Sequence, residues 1–107
     1  MSYNPVNPFQ IQDDFIGNSI SLIKIHLRLR QRNARKTITT VEGLNSNFDL
    51  KLIIKHLKRQ LNCNGTIVRD ENTNTDVLQL AGDQRSNIRL FLIQEQIAED
   101  RDIIIHG

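Results

Sequence analysis

The chain has 107 residues, 14 Lys or Arg against 12 Asp or Glu and 38% hydrophobic residues, enough for one domain with one core. Its single cysteine excludes an intramolecular disulfide and a thiolate metal cluster; no apolar run nears the roughly 18 residues of a membrane helix, and the opening MSYNPVNPFQ lacks the plan of a secretory leader, so a cytoplasmic setting is expected. The net charge of +2 averages unlike parts, +9 over residues 24–69, −5 over residues 70–107 and −2 before them, which predicts a basic face docking on a polyanion.

Residues 1–19 hold both prolines and scatter Phe9, Ile11, Phe15 and Ile16 without a period. They read as a flexible tail ahead of a single domain over residues 20–107. From Ile23 the pattern turns strict: Ile23, Ile25, Leu27 and Leu29 alternate with Lys24, His26, Arg28 and Arg30, the period of a strand with one buried and one basic face. TITTV, Thr37 to Val41, is β-branched throughout and predicts a second strand, leaving QRNARK as the tip of a long hairpin. Arg28, Arg30, Arg32, Arg35 and Lys36 therefore crowd one projection.

In DLKLIIKHLKRQL the period changes to three and four: Leu50, Ile53, Ile54, Leu57 and Leu61 mark one helical face, and Lys51, Lys55 and Lys58 the other. Asn47 or Asp49 supplies an N-cap, and Gly65 is expected as a left-handed C-terminal cap. TIVRD and DVLQLAG predict a hairpin closed by ENTNT, and Asp83 is expected to cap a second helix running to about Ile97. The three isoleucines of DIIIHG predict a last strand covered on both sides or paired in the sheet interior. The order β-β-α-β-β-α-β predicts an α+β, two-layer α/β plait: two helices on one face of a mixed five-stranded sheet, the other face open.

No catalytic residue, metal or cofactor is expected. His26, His56 and His106 lie on separate elements without ligand spacing, and no phosphate-binding glycine loop or nucleophile elbow occurs. One alternative is a small acyl-phosphate or phosphate-ester hydrolase on the same fold, but TVEGLNSNF offers one glycine and no arginine for a phosphate cradle. An open basic sheet face suits RNA, yet the strands carry no Phe, Tyr or Trp to stack bases, which leaves phosphates and the shape of folded RNA as the route. A generic structured-RNA module and an adaptor working through the acidic second half are further readings. Arg28 and Arg30 on an outer strand face also deter strand pairing, but that role does not extend to Arg32, Arg35 and Lys36 at the tip.

QRNARKTITTVEG, DLKLIIKHLK, NCNGTIV, LQLAGDQR and the terminal IHG resemble, in this order and spacing, the eukaryotic translation initiation factor 1 family, and NPFQIQDDF is similar to its short N-terminal motif. The resemblance runs from about Ile23 to Gly107. It implies a monomeric, non-enzymatic factor that binds small-subunit ribosomal RNA near the P site, keeps the preinitiation complex scanning, contacts other initiation factors and opposes initiator tRNA accommodation. The residues matching the RNA-reading loop are Gln31, Arg32, Asn33, Arg35, Lys36 and Thr37, with Arg28 and Arg30 beneath them. Lys51, Lys55, Lys58 and Arg59 match a second surface for RNA and factors. Gly82, Asp83, Gln84 and Arg85 match a segment linked to start-site fidelity. The chain departs at Ala34, where the family has glycine; a turn with positive φ at both central residues would be costly there. Past Gly107 the family commonly adds an aromatic. Fifteen isoleucines and eleven asparagines point to an A·T-rich coding genome, cellular or viral.

Overall fold

The computed structural model describes Phe9, residues 24–44 and residues 47–107; Ile23 and most of the expected tail lie outside the described residues. Strands β1 (Ile25–Asn33) and β2 (Lys36–Glu42) are followed by helix α1 (Leu50–Leu61), strands β3 (Gly65–Asp70) and β4 (Thr75–Ala81), helix α2 (Arg85–Gln94), a 3-10 turn (Asp100–Asp102) and β5 (Ile103–Ile105). The sheet order is β3-β4-β2-β1-β5, antiparallel except for β1 with β5. This is the predicted two-layer architecture.

The alternation of β1 holds over its first half: Ile25 and Leu27 are buried while His26, Arg28 and Arg30 look to the open face, and Leu29, expected in the buried row, is only half-buried as the strand leaves the domain. Leu27, Val41, Leu78 and Leu80 from the sheet meet Ile53 and Leu57 of α1 and Ile88 and Leu92 of α2. Asp49 is the N-cap of α1, its carboxylate accepting from the Leu52 amide at 3.2 Å. Phe9 departs from the tail reading. It is 2% exposed, its ring meets Phe91 and His56 edge-on, and its carbonyl accepts from the Asp49 amide.

Four local expectations need correction. The left-handed residue after α1 is Asn62 (φ 51°); Gly65 instead opens β3, where a Cβ would come within 2.9 Å of Leu80 Cδ2 and 3.0 Å of Gln79 O, so its role is close packing. Asp83 stands one residue ahead of the N-cap position of α2, Gln84, which makes no side-chain bond; the Asp83 carboxylate accepts from the Arg85 backbone amide at 3.4 Å and is held mainly by the Arg85 guanidinium. Helix α2 stops at Gln94, because Gln96 adopts φ 60° and returns Ile97 to the core, its amide donating to Leu92 O. Strand β5 is an edge strand, with Ile104 and Ile105 38% and 41% exposed.

Candidate nucleic-acid interface

The finger is built by strand pairing rather than by a loop. Gln31, Arg32 and Asn33 belong to β1, Lys36 and Thr37 to β2, and only Ala34 and Arg35 form the turn. Asn33 closes it: its Oδ1 accepts from the backbone amides of Arg35 and Lys36, both at 3.0 Å. This side chain-to-backbone turn carries the reversal, and a register shift between Gln31 and Asn33 adds the local twist of a bulge. Ala34 is not among the positive-φ residues, so the expected cost of losing glycine there does not arise.

Charge is distributed unevenly along this projection. Arg32, Arg35 and Lys36 are exposed and make no ion pair among the described residues. Lower down, Glu42 reaches two arginines of the open face, Arg28 Nε at 3.4 Å and Arg30 Nη2 at 3.7 Å. Lys24 is tied to Asp102 at 3.6 Å. The tip thus presents unneutralised guanidinium and ammonium groups, and the base of the row is half-neutralised.

Lys51, Lys55, Lys58 and Arg59 all lie on the exposed side of α1, which packs against β3 and β4. The open sheet face looks the opposite way. The structure therefore does not merge the helix cations with Arg28 and Arg30 into one patch; it presents two basic surfaces separated by the thickness of the domain.

The 82–85 segment is a fastened corner. The buried Thr39 hydroxyl donates to Gly82 O at 2.7 Å and accepts from the Gln84 amide at 2.8 Å, and the Gly82 amide donates to Thr37 O. Gly82 takes φ +85°, and a Cβ there would meet only Gln84 Nε2, at an ordinary contact distance of 3.5 Å, so backbone conformation is what favours glycine. Arg85 grips Asp83 with Nε and Nη2, both at 2.9 Å, and with Nη1 donates to His106 O at 2.7 Å. The guanidinium holds the Asp83 carboxyl below its usual range. The corner thereby joins the finger's second strand to the last residues of the chain.

Three features escaped sequence reasoning. His26 Nδ1 and His106 Nε2 sit 2.9 Å apart with stacked rings, a bond that needs at least one neutral imidazole. Desolvation, then Arg28 and His26, push the His106 pKa down against the pull of Glu42. The shared clamp on Glu42 was signalled only by its being one of two carboxylates in the basic stretch. The third is a groove of ≈ 170 Å³ at the foot of the finger, lined by Arg32, Ile38, Asn64, Gly65, Thr66, Gln79, Leu80 and Ala81. It gathers residues from four strands and a loop, and no local pattern announces it.

Comparison with known proteins gives one consistent result. The family model described as Translation initiation factor SUI1 matches residues 21–98. "Protein translation factor sui1" of Schizosaccharomyces pombe is 44% identical over 106 residues, covering 99% of this chain and 94% of the relative. A Brassica oleracea homologue is 46% identical over 83 residues, covering 78% and 73% respectively. Among solved structures, the C-terminal domain of human eIF2D superposes with a TM-score of 0.69 at 21% identity, covering 78% of this chain and 42% of that one; at that identity the likeness speaks for the fold.

Proposed function

The chain belongs to the translation initiation factor SUI1 family, and from that premise we propose that it binds the small ribosomal subunit near the P site and enforces start-codon selection. In this reading the finger enters structured ribosomal RNA, its cations meet phosphates, and its bulk opposes full accommodation of the initiator tRNA until a start codon is paired. The observation that carries the reading is the exposed set Arg32, Arg35 and Lys36 on a two-stranded mount. Rigid presentation matters because each cation ordered in advance costs less entropy on binding. The α1 stripe of Lys51, Lys55, Lys58 and Arg59 serves a second contact, with RNA or other initiation factors. The 82–85 corner acts on fidelity by fixing β2, and hence the finger, to the domain. The protein works as a cytoplasmic monomer without catalysis of its own.

The test is co-sedimentation with purified small subunits across a salt series. Changing Arg32, Arg35 and Lys36 together to glutamate should leave the unfolding midpoint nearly unchanged and weaken binding. It should also flatten the log-affinity against log-salt slope by about 0.7 to 0.9 for each phosphate that the variant no longer neutralises. Absence of co-migration would overturn the proposal; binding whose slope ignores the triple change would place the RNA-binding surface elsewhere.

A further inference from the structure

The groove at the foot of the finger has a composition that a phosphate-reading surface alone does not require. Ile38, Leu80, Ala81 and Gly65 give it an apolar lining, while Asn64, Thr66 and Gln79 bring polar side chains to the same space. Among the described residues none of these three side chains has a hydrogen-bond partner in the protein, and neither does the Arg32 guanidinium beside them. Asn64, Thr66 and Arg32 are exposed, so water satisfies them in the free chain. Amide and hydroxyl groups around an apolar floor match the edge of a heterocycle, which needs donors and acceptors at its rim and none against its faces. A guanidinium beside them can stack on such a ring or meet the phosphate that carries it.

We propose that this groove receives one unstacked nucleobase of the bound RNA, with Gln79, Thr66 and Asn64 reading its edge and Arg32 stacking on the base or holding its phosphate. Charge complementarity selects this occupant over an apolar protein side chain: Arg32, one of the exposed finger cations without an ion pair among the described residues, is itself part of the lining, so the groove favours an apolar ring that carries a negative charge. The finger then supplies phosphate affinity and the groove a fixed register on the RNA, the division of labour between backbone and base recognition. The inference rests on the RNA-docking reading above.

The experiment uses the full chain on purified small subunits, with chemical modification of Watson–Crick edges in the ribosomal RNA. Gln79→Leu removes the amide at similar volume, and Ala81→Leu fills the groove from an exposed strand end. The wild-type chain should protect one base that stays reactive with either variant, while backbone protection by the finger persists. Subunit affinity should fall roughly three- to tenfold, the worth of one or two hydrogen bonds, with the salt slope unchanged. Either variant suffices if its unfolding midpoint matches the parent. A photo-crosslinking side chain at Thr66 should capture RNA; capture of a ribosomal protein overturns the proposal. Bound chain with no variant-dependent base protection overturns the groove and leaves the docking reading standing, whereas no binding at all sinks both.

Discussion

Replacing Phe9 by alanine tests whether the segment before β1 is part of the folded domain. The ring is 2% exposed and sits with its centroid 5.5 Å from Phe91 of α2 and 5.0 Å from His56 of α1, so it bridges the two helices that cover the sheet. Truncating a buried phenylalanine costs about 3 to 5 kcal/mol. Where the neighbouring side chains of α1 and α2 close part of the space the lower end applies, about 3 kcal/mol, with the Asp49 amide's bond to Phe9 O at the start of α1 also at stake. Against a total of about 5 to 15 kcal/mol for a small domain, that is a large share. In urea, with a slope of about 1 to 3 kcal/mol per molar, the midpoint should drop by about 1 to 3 M. Phe9→Leu, which keeps an apolar group in place, should cost under about 1.5 kcal/mol. A Phe9→Ala midpoint equal to the parent's would show that the ring contributes nothing to stability and that the two-helix bridge is wrong.

The corner at Arg85 makes a second prediction: Arg85→Met, which loses the bond to His106 O together with the Asp83 ion pair, should lower the urea midpoint more than Asp83→Ala, which loses the half-exposed ion pair but keeps the bond to His106 O; the reverse order refutes the clamp. A third concerns pH. The His106 pKa is lowered in the fold by desolvation, Arg28 and His26, so the unfolded chain binds its proton first, and stability should fall as pH drops below the ordinary histidine value near 6.5. Unfolding midpoints of parent and His106→Gln between pH 5 and 8 check this; parallel profiles would exclude the pair as the source.

What the sequence revealed and what it hid divide along a physical line. Periodicity reports which face of an element is buried, and it found β1, β2 and α1, because Leu27, Val41 and Leu57 repeat at the spacing their own elements impose. It located the cations of the finger for the same reason. Tertiary partners leave no such trace. Asp83 reads as an N-cap from its place before a helix, yet Arg85 two residues on offers a stronger, charged partner. The run Ile103–Ile105 reads as interior because it is uniformly apolar, yet only Ile103 packs against the core. Phe9 reads as tail because its neighbours have no period; a single aromatic inserted between helices has none to show.

Glu42 offers the sharpest way to ask what the basic face does. Its two oxygens hold Arg28 at 3.4 Å and Arg30 at 3.7 Å, loose geometry at a surface where such pairs are worth about 0 to 1 kcal/mol each. A phosphate approaching either arginine must displace this carboxylate or bind beside its negative charge. Glu42→Gln keeps the shape and removes the charge. Stability should change by less than about 0.5 kcal/mol for a surface substitution of this kind. Subunit binding should tighten, with the salt slope steepening by about 0.7 to 0.9 for each arginine that gains a phosphate, and the His106 pKa should fall further because Glu42 is what raises it. If the factor must also leave when a start codon is paired, tighter holding opposes initiator tRNA accommodation by the same factor, since linkage between the two bindings is reciprocal. In cells depending on this protein, the ratio of initiation at UUG to AUG should then decline with Glu42→Gln and rise with the finger's glutamate variants. Affinity and slope left unchanged by Glu42→Gln would mean that Arg28 and Arg30 meet no phosphate, and that RNA binding is confined to the tip. Weaker binding would mean that Glu42 positions the arginines it pairs with, and the idea of a carboxylate holding the affinity down would be lost.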